Sequence, residues 1–213
     1  ILLIEKEPTL GLHVSSRNSE VIHSGLYYEP NSLKAKLCVE GNHLMYDFAR
    51  KYNINHSNCG KLIVIPTIEE LSKLELLMQN GIQNGVEGLQ MLSGKEIKQR
   101  EPIIKAAYGL SVPSSGIIDS HGFMHKLEYF ITSSNASIVY NTEVTGISYK
   151  DDNYTIALKN MDYKAKAKIV INSAGLWCDE VSKMVGIEDY KLHICKGEYY
   201  KTSMYRNELH SLI

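Results

Sequence analysis

Residues 1–5, Ile1-Leu2-Leu3-Ile4-Glu5, are four apolar side chains in a row closed by a carboxylate. A strand without polar alternation buries both faces, and that belongs in a parallel sheet covered by helices on each side. In a doubly wound sheet of this kind, the end of the second strand is where the hydroxyls of an adenosine ribose meet an acidic side chain. Glu5 stands at such a position, although a solvated strand-end glutamate has the same pattern. No glycine-rich turn precedes the strand, there is no initiator Met, and Leu209-His210-Ser211-Leu212-Ile213 ends without a polar tail. Both edges therefore read as truncations of a larger protein.

With 44% hydrophobic and 22% charged residues among 213, the composition suits one or two ordinary cores. The formal charge is -1 and the basic residues are scattered, so no nucleic-acid partner is expected. No apolar run approaches the roughly 18 residues of a membrane span, and no basic stretch precedes the first apolar run as in a signal peptide. The expectation is a soluble, cytoplasmic protein, with peripheral contact to the inner face of a membrane left open. Cys38, Cys59, Cys178 and Cys195 lack metal-knuckle spacing, which favours buried thiols and no metal site.

The pattern predicts a short helix from Ser15, an extended Leu26-Tyr27-Tyr28, and an amphipathic helix burying Leu33, Leu37, Leu44 and Phe48. A strand is expected over 60–65. Two capping boxes, Thr67 with Glu70 and Ser93 with Glu96, open helices, the first carrying Leu71, Leu74, Leu77, Met78 and Ile82 inward. Residues 107–119 read as strand, turn, strand, followed by a helix from about Ser120. Short strands follow at 137–140, 143–149 and 153–159, with Asp151-Asp152-Asn153 as a hairpin turn. Further strands are expected at 168–172 and 192–201, with a helix over 176–185 between them. This alternation implies parallel sheet near both the start and residues 168–185, interrupted by a second domain.

The serines of 15–19 can aim hydroxyls and amides at a diphosphate, while ordinary capping accounts for them equally. Ser173-Ala174-Gly175 follows the same logic, since small residues let a pyrophosphate approach the backbone. His23 can take a proton as a hydride leaves a substrate carbon, a structural histidine being the alternative. Arg17, Tyr27, Tyr28, Lys61 and Glu198 are the other polar side chains able to serve a site.

The stretch Ser15-Ser16-Arg17-Asn18-Ser19-Glu20-Val21-Ile22-His23-Ser24-Gly25-Leu26-Tyr27-Tyr28, continuing through 32–41, resembles the L-2-hydroxyglutarate dehydrogenase/oxidase branch of the FAD-dependent, D-amino-acid-oxidase-like oxidoreductases. Cys59-Gly60-Lys61-Leu62, Arg100-Glu101-Pro102, 112–119, 171–176 and 196–200 extend the resemblance over nearly the whole chain. It implies a fold of α/β plus α+β class: an incomplete FAD/NAD(P)-binding Rossmann-like domain with an inserted mixed-sheet substrate domain. The implied division is FAD domain at 1–52 and 120–186, substrate domain at 53–119 and 187–213.

The resemblance further implies that Glu5 holds the adenosine ribose, that Ser16, Arg17 and Asn18 lie by the diphosphate and flavin, and that Val144 meets the adenine side through its backbone. Ala174 and Gly175 would flank the pyrophosphate, and His23, Lys61, Gly197 and Glu198 would lie on the substrate side. The implied chemistry oxidises a 2-hydroxy acid by hydride transfer to flavin N5, giving 2-oxoglutarate from L-2-hydroxyglutarate, with oxygen or a quinone as electron acceptor. An amine or glycerol-3-phosphate oxidase of the same fold stays an alternative. So does a catalytically inactive fragment, or a subunit completed by a second chain, because without the first glycine turn this piece is expected to bind FAD weakly or not at all. Glu20 departs from the family pattern, which more often has a small or neutral residue there.

Overall fold

The computed structural model describes residues 1–200 and 208–213. In chain order the elements are β1 (Leu2–Ile4), β2 (Val21–Ile22), α1 (Leu33–Lys51), β3 (His56–Ser57), β4 (Lys61–Ile65), α2 (Leu71–Gln83), β5 (Gln90–Ser93) and α3 (Gly94–Arg100). They continue with β6 (Tyr108–Val112), β7 (Gly116–Ile118), α4 (Ser120–Thr132), β8 (Ser137–Val139), β9 (Val144–Lys150), β10 (Asn153–Leu158), β11 (Lys164–Ala167) and α5 (Cys178–Lys183). Two compact units emerge, one of residues 1–18 with 124–199, the other of 19–123 with 200–213. The expected division at 52/53, 119/120 and 186/187 is one of cofactor and substrate role, which packing alone does not test.

In the first unit β1 pairs in parallel with β8, and β9, β10 and β11 form an antiparallel meander. The β9–β10 turn works because Asp151 and Asp152 both adopt positive φ, 51° and 57°, matching the twist of a two-residue hairpin. Ile147, Ile156 and Leu158 make the core, with Ile4, Val144 and Val170 packed against it. The two-sided burial expected of β1 is not found. Leu2 and Leu3 are 49% and 40% exposed, since β8 is the one described strand beside them.

The second unit holds two three-stranded sheets, β4-β6-β5 and β2-β7-β3. Alternation along β4 divides the packing. Leu62 and Val64 join Leu92 and Ile97 on the α3 face, whereas Ile63 and Ile65 join Leu74, Leu110 and Val112 on the α2 face. Ser93 and Glu96 complete the expected capping box of α3.

Several expectations fail for identifiable reasons. The helix from Ser15 is replaced by turns and β2, because Ser16 and Asn18 fold back onto carbonyls three to five residues earlier and compete with helical hydrogen bonding. Leu26 to Tyr28 is likewise turned, not extended. Helix α1 forms but presents a different face: Ala35, Asn42, Tyr46 and Ala49 are buried while Leu33, Leu37 and Leu44 stay 54–70% exposed. Small side chains permit the close approach, and the Asn42 amide donates to the carbonyls of His23 and Ser114. Thr67 makes no side-chain cap, and a 3₁₀ turn over Ile68–Glu70 leads into α2, where Leu74 is buried and Ile82 is 58% exposed.

Residues 168–172 carry no strand pairing, with Ile169 and Ile171 77% and 83% exposed, so among the described residues parallel pairing is limited to β1 with β8 and an isolated bridge of Lys61 with Leu212. Residues 192–200 are exposed and without strand; Lys201 lies outside the described residues. Strand β11 was not foreseen, since Lys164-Ala165-Lys166-Ala167 lacks the β-branched residues that mark strands. Helix structure over 176–185 is a 3₁₀ turn at Gly175–Trp177 followed by α5.

Candidate functional site

The first unit gathers the residues assigned to the cofactor. Strand β1 delivers Glu5, whose amide donates to Val139 O at 2.9 Å and whose Oε1 accepts from the Glu7 amide at 2.9 Å. The other carboxylate oxygen has no protein partner among the described residues. After Gly11 (φ 74°) the loop winds around the His13 carbonyl, which accepts from the amides of Ser16 at 3.2 Å and Arg17 at 3.1 Å. Ser16 spends its hydroxyl on the Gly11 carbonyl and Asn18 its amide group on Val14 and Ser15, so both brace the turn. Arg17 is exposed, and no described residue accepts from its guanidinium. Val144 opens β9 opposite Leu158. Ala174 precedes the 3₁₀ turn, and Gly175 sits at φ 57° with open space where a Cβ would project.

A tryptophan that the sequence did not single out joins these segments. Lys6 Nζ lies 3.1 Å above the Trp177 ring, the His13 ring meets it edge-on at a 4.7 Å centroid distance, and His13 Nε2 is 2.8 Å from Glu7 Oε1. A cation over an indole face contributes about 0.5–2 kcal/mol. The available signal was that this is the chain's one Trp, two residues beyond Gly175. Gly197 and Glu198 lie in the exposed stretch before Lys201, where Glu198 pairs with Lys196 at 3.0 Å.

The second unit brings His23 and Lys61 together. The His23 carbonyl is held by Asn42 at 3.0 Å and approached by the Cys38 thiol at 3.7 Å. Desolvation, then the positive charge of Lys61, pull the His23 pKa below its ordinary value, leaving a neutral imidazole at pH 7. Burial also lowers the Lys61 pKa, and its Nζ lies 5.5 Å from the centre of the Tyr27 ring. Tyr27 and Tyr28 ride on a loop strapped to α2: Asn80 donates to Leu26 O and Tyr28 O, Asn84 to Gly25 O and Tyr28 O, all at 2.7–2.9 Å.

A cleft of about 270 Å³ is lined by residues including Lys61, Leu62, Arg100, Ser111 and Ser211. Of its two cations, Arg100 donates to Ser111 Oγ at 3.3 Å and Gln90 Oε1 at 3.4 Å, whereas Lys61 Nζ lies toward the Tyr27 ring. Ser211 is fixed there by Glu101, a fully buried carboxylate that accepts from Ser211 Oγ at 2.6 Å and from the His210 amide at 3.0 and 3.2 Å. Leu212 then bonds to Gly60 and Leu62 alongside β4. Among the described residues no group of His, Cys, Asp or Glu could hold a metal ion, and no helix is long and apolar enough to cross a membrane.

A mixed α/β unit with a strand-end acid and a turn-rich loop, together with a mixed-sheet unit, defines a partial Rossmann-like architecture. The family described as DAO, FAD dependent oxidoreductase, matches residues 1–212, and the chain belongs to it. The chain is 37% identical over 208 residues to the mitochondrial L-2-hydroxyglutarate dehydrogenase of Mus musculus, covering 92% of this chain and 45% of that protein. It is 33% identical over 211 residues to the L-2-hydroxyglutarate dehydrogenase of Escherichia coli K12, covering 98% and 49%. Dithionite-reduced L-alpha-glycerophosphate oxidase from Mycoplasma pneumoniae, with FAD bound, superposes with a TM-score of 0.81 at 31% identity, over 86% of this chain and 50% of that one. The chain thus spans about half the length of these relatives. Three features are chemically compatible with the family's cofactor: a Glu5 oxygen and the Arg17 guanidinium that have no partner among the described residues, and open space at the Gly175 backbone.

Proposed function

We propose that this chain serves an FAD-dependent 2-hydroxyacid oxidoreductase that converts L-2-hydroxyglutarate to 2-oxoglutarate. What supports this reading is the pairing of His23 with Lys61 in one unit, where desolvation and the Lys61 charge push the imidazole toward its neutral form. A base must be unprotonated at working pH to accept the substrate's hydroxyl proton, and a nearby ammonium suits the substrate carboxylate. FAD, when bound, supplies the acceptor for the hydride leaving the substrate's α carbon. Glu5 would hold its ribose, with Arg17 and the Ala174-Gly175 turn at its diphosphate, Ser16 and Asn18 shaping that loop, and Val144 at the adenine side. Gly197 and Glu198 would serve the substrate side, within the division of 1–52 and 120–186 for FAD and 53–119 and 187–213 for substrate. Oxygen or a quinone would receive the electrons, in the cytoplasm or at the inner face of a membrane.

The likeness to the glycerophosphate oxidase supports glycerol 3-phosphate as the competing substrate. An anaerobic titration with FAD, then with L-2-hydroxyglutarate or glycerol 3-phosphate, separates the readings by which compound bleaches the flavin absorbance. Bleaching by L-2-hydroxyglutarate supports the proposal, and bleaching by glycerol 3-phosphate alone overturns it. In the holoenzyme, His23→Ala should cut the flavin reduction rate by about 100-fold or more with FAD affinity nearly kept. An unchanged rate removes His23 as base.

A further inference from the structure

Trp177 is where two stretches distant in sequence converge, residues 5–18 and the turn at 172–177. Its ring carries Lys6 on one face and His13 at its edge, and His13 is tied onward to Glu7. The backbone of His13 is also the hub of the loop, because its carbonyl collects the amides of Ser16 and Arg17. One residue therefore couples the loop's internal hydrogen bonds to the Ala174-Gly175 turn. The loop contains no helix or strand of its own; Ser16 and Asn18 brace it internally, and the Trp177 contacts tie it to the second turn.

We infer that Trp177, together with His13 and Lys6, positions the diphosphate loop against the second small-residue turn before any dinucleotide arrives; this rests on the flavin reading above. Holding the loop through His13 against the turn at 172–177 in advance lowers the ordering cost that a bound diphosphate would otherwise meet. These are positioning residues, acting through the loop and not on the reacting atoms.

Amide hydrogen exchange of the chain without ligand tests the clamp directly. Trp177→Ala and His13→Ala should speed exchange at the Ser16 and Arg17 amides by about tenfold, the change expected when contacts of this strength are lost. Trp177→Phe, which keeps an aromatic face, should retain most of the protection. Unchanged exchange at both amides in His13→Ala, with the β9–β10 amides still protected, overturns the clamp; that variant covers the case in which Trp177→Ala fails to fold. ADP, carrying ribose and diphosphate without flavin, then probes the role through quenching of the single tryptophan. His13→Ala should weaken ADP binding by about three- to tenfold. Loop exchange that responds as expected while ADP binds the wild type and His13→Ala equally overturns the dinucleotide role of the clamp and leaves the flavin reading standing, a result distinct from failure of the clamp.

Discussion

The two units differ in how much of their sheet they cover themselves. In the unit of 19–123, Ile97, Leu110 and Val112 are wholly buried and helices pack both faces of β4-β6-β5, so its chain supplies its own core. In the unit of 1–18 and 124–199, the best-buried apolar side chains, Ile147, Ile156 and Leu158, keep 5–9% exposure, and β1 presents an uncovered apolar surface. Similar apolar runs, Ile1-Leu2-Leu3-Ile4 and Leu62-Ile63-Val64-Ile65, thus end in opposite states. Burial is decided by how many neighbours the rest of the chain provides, not by the run itself.

The sharpest way to break this contrast is Leu110→Ala, which should cost the second unit about 2–5 kcal/mol through a cavity the packed sheet cannot close; chemical denaturation measures it. Glu101→Ala should follow at about 1–3 kcal/mol, because the His210 amide and the Ser211 hydroxyl lose their buried acceptor. The same variant should release residues 210–212 from β4, visible as faster exchange at Leu62 and Leu212. Glu20→Ala should cost about 1 kcal/mol by removing a cap, while Glu20→Gly should cost less because φ at this residue is 57°. Ile171→Ser, at an 83% exposed position, should shift the first unit by less than about 0.5 kcal/mol.

Titration sharpens the comparison from another side. The His23 midpoint should lie below its ordinary value of about 6.5 and rise in Lys61→Gln, read from the ring resonances. Because the folded midpoint is depressed, the unfolded chain binds the proton first. His23 therefore costs nothing well above about pH 6.5 and lowers stability as pH falls below it.

What the sequence revealed follows the range of the forces involved. The Ser93 box, the 151–152 turn and α1 were legible because short-range capping, φ preference and periodicity specify them. The buried face of α1 was not, since Asn42 is drawn inward by carbonyls of His23 and Ser114, one of them 72 residues away. Glu20 read as a departure from the family; in the fold its carboxylate accepts from the Ser120 amide at 3.0 Å and hydroxyl at 2.7 Å, capping α4 across 100 residues. At the candidate site, Glu5 and the Ala174-Gly175 turn were visible as strand-end and small-residue signals. Trp177 was not, because its partners Lys6 and His13 come together only through the fold.

The asparagine straps from α2 have a consequence for how this surface can diverge. Asn80 and Asn84 hold the carbonyls of residues 25, 26 and 28 one helical turn apart, so the loop bearing Tyr27 and the end of α2 are inherited as a single cassette. A one-residue insertion between Asn80 and Asn84 would rotate one amide by about 100° off the loop. Transplanting the tyrosine loop into a related scaffold would require carrying that helix end with it.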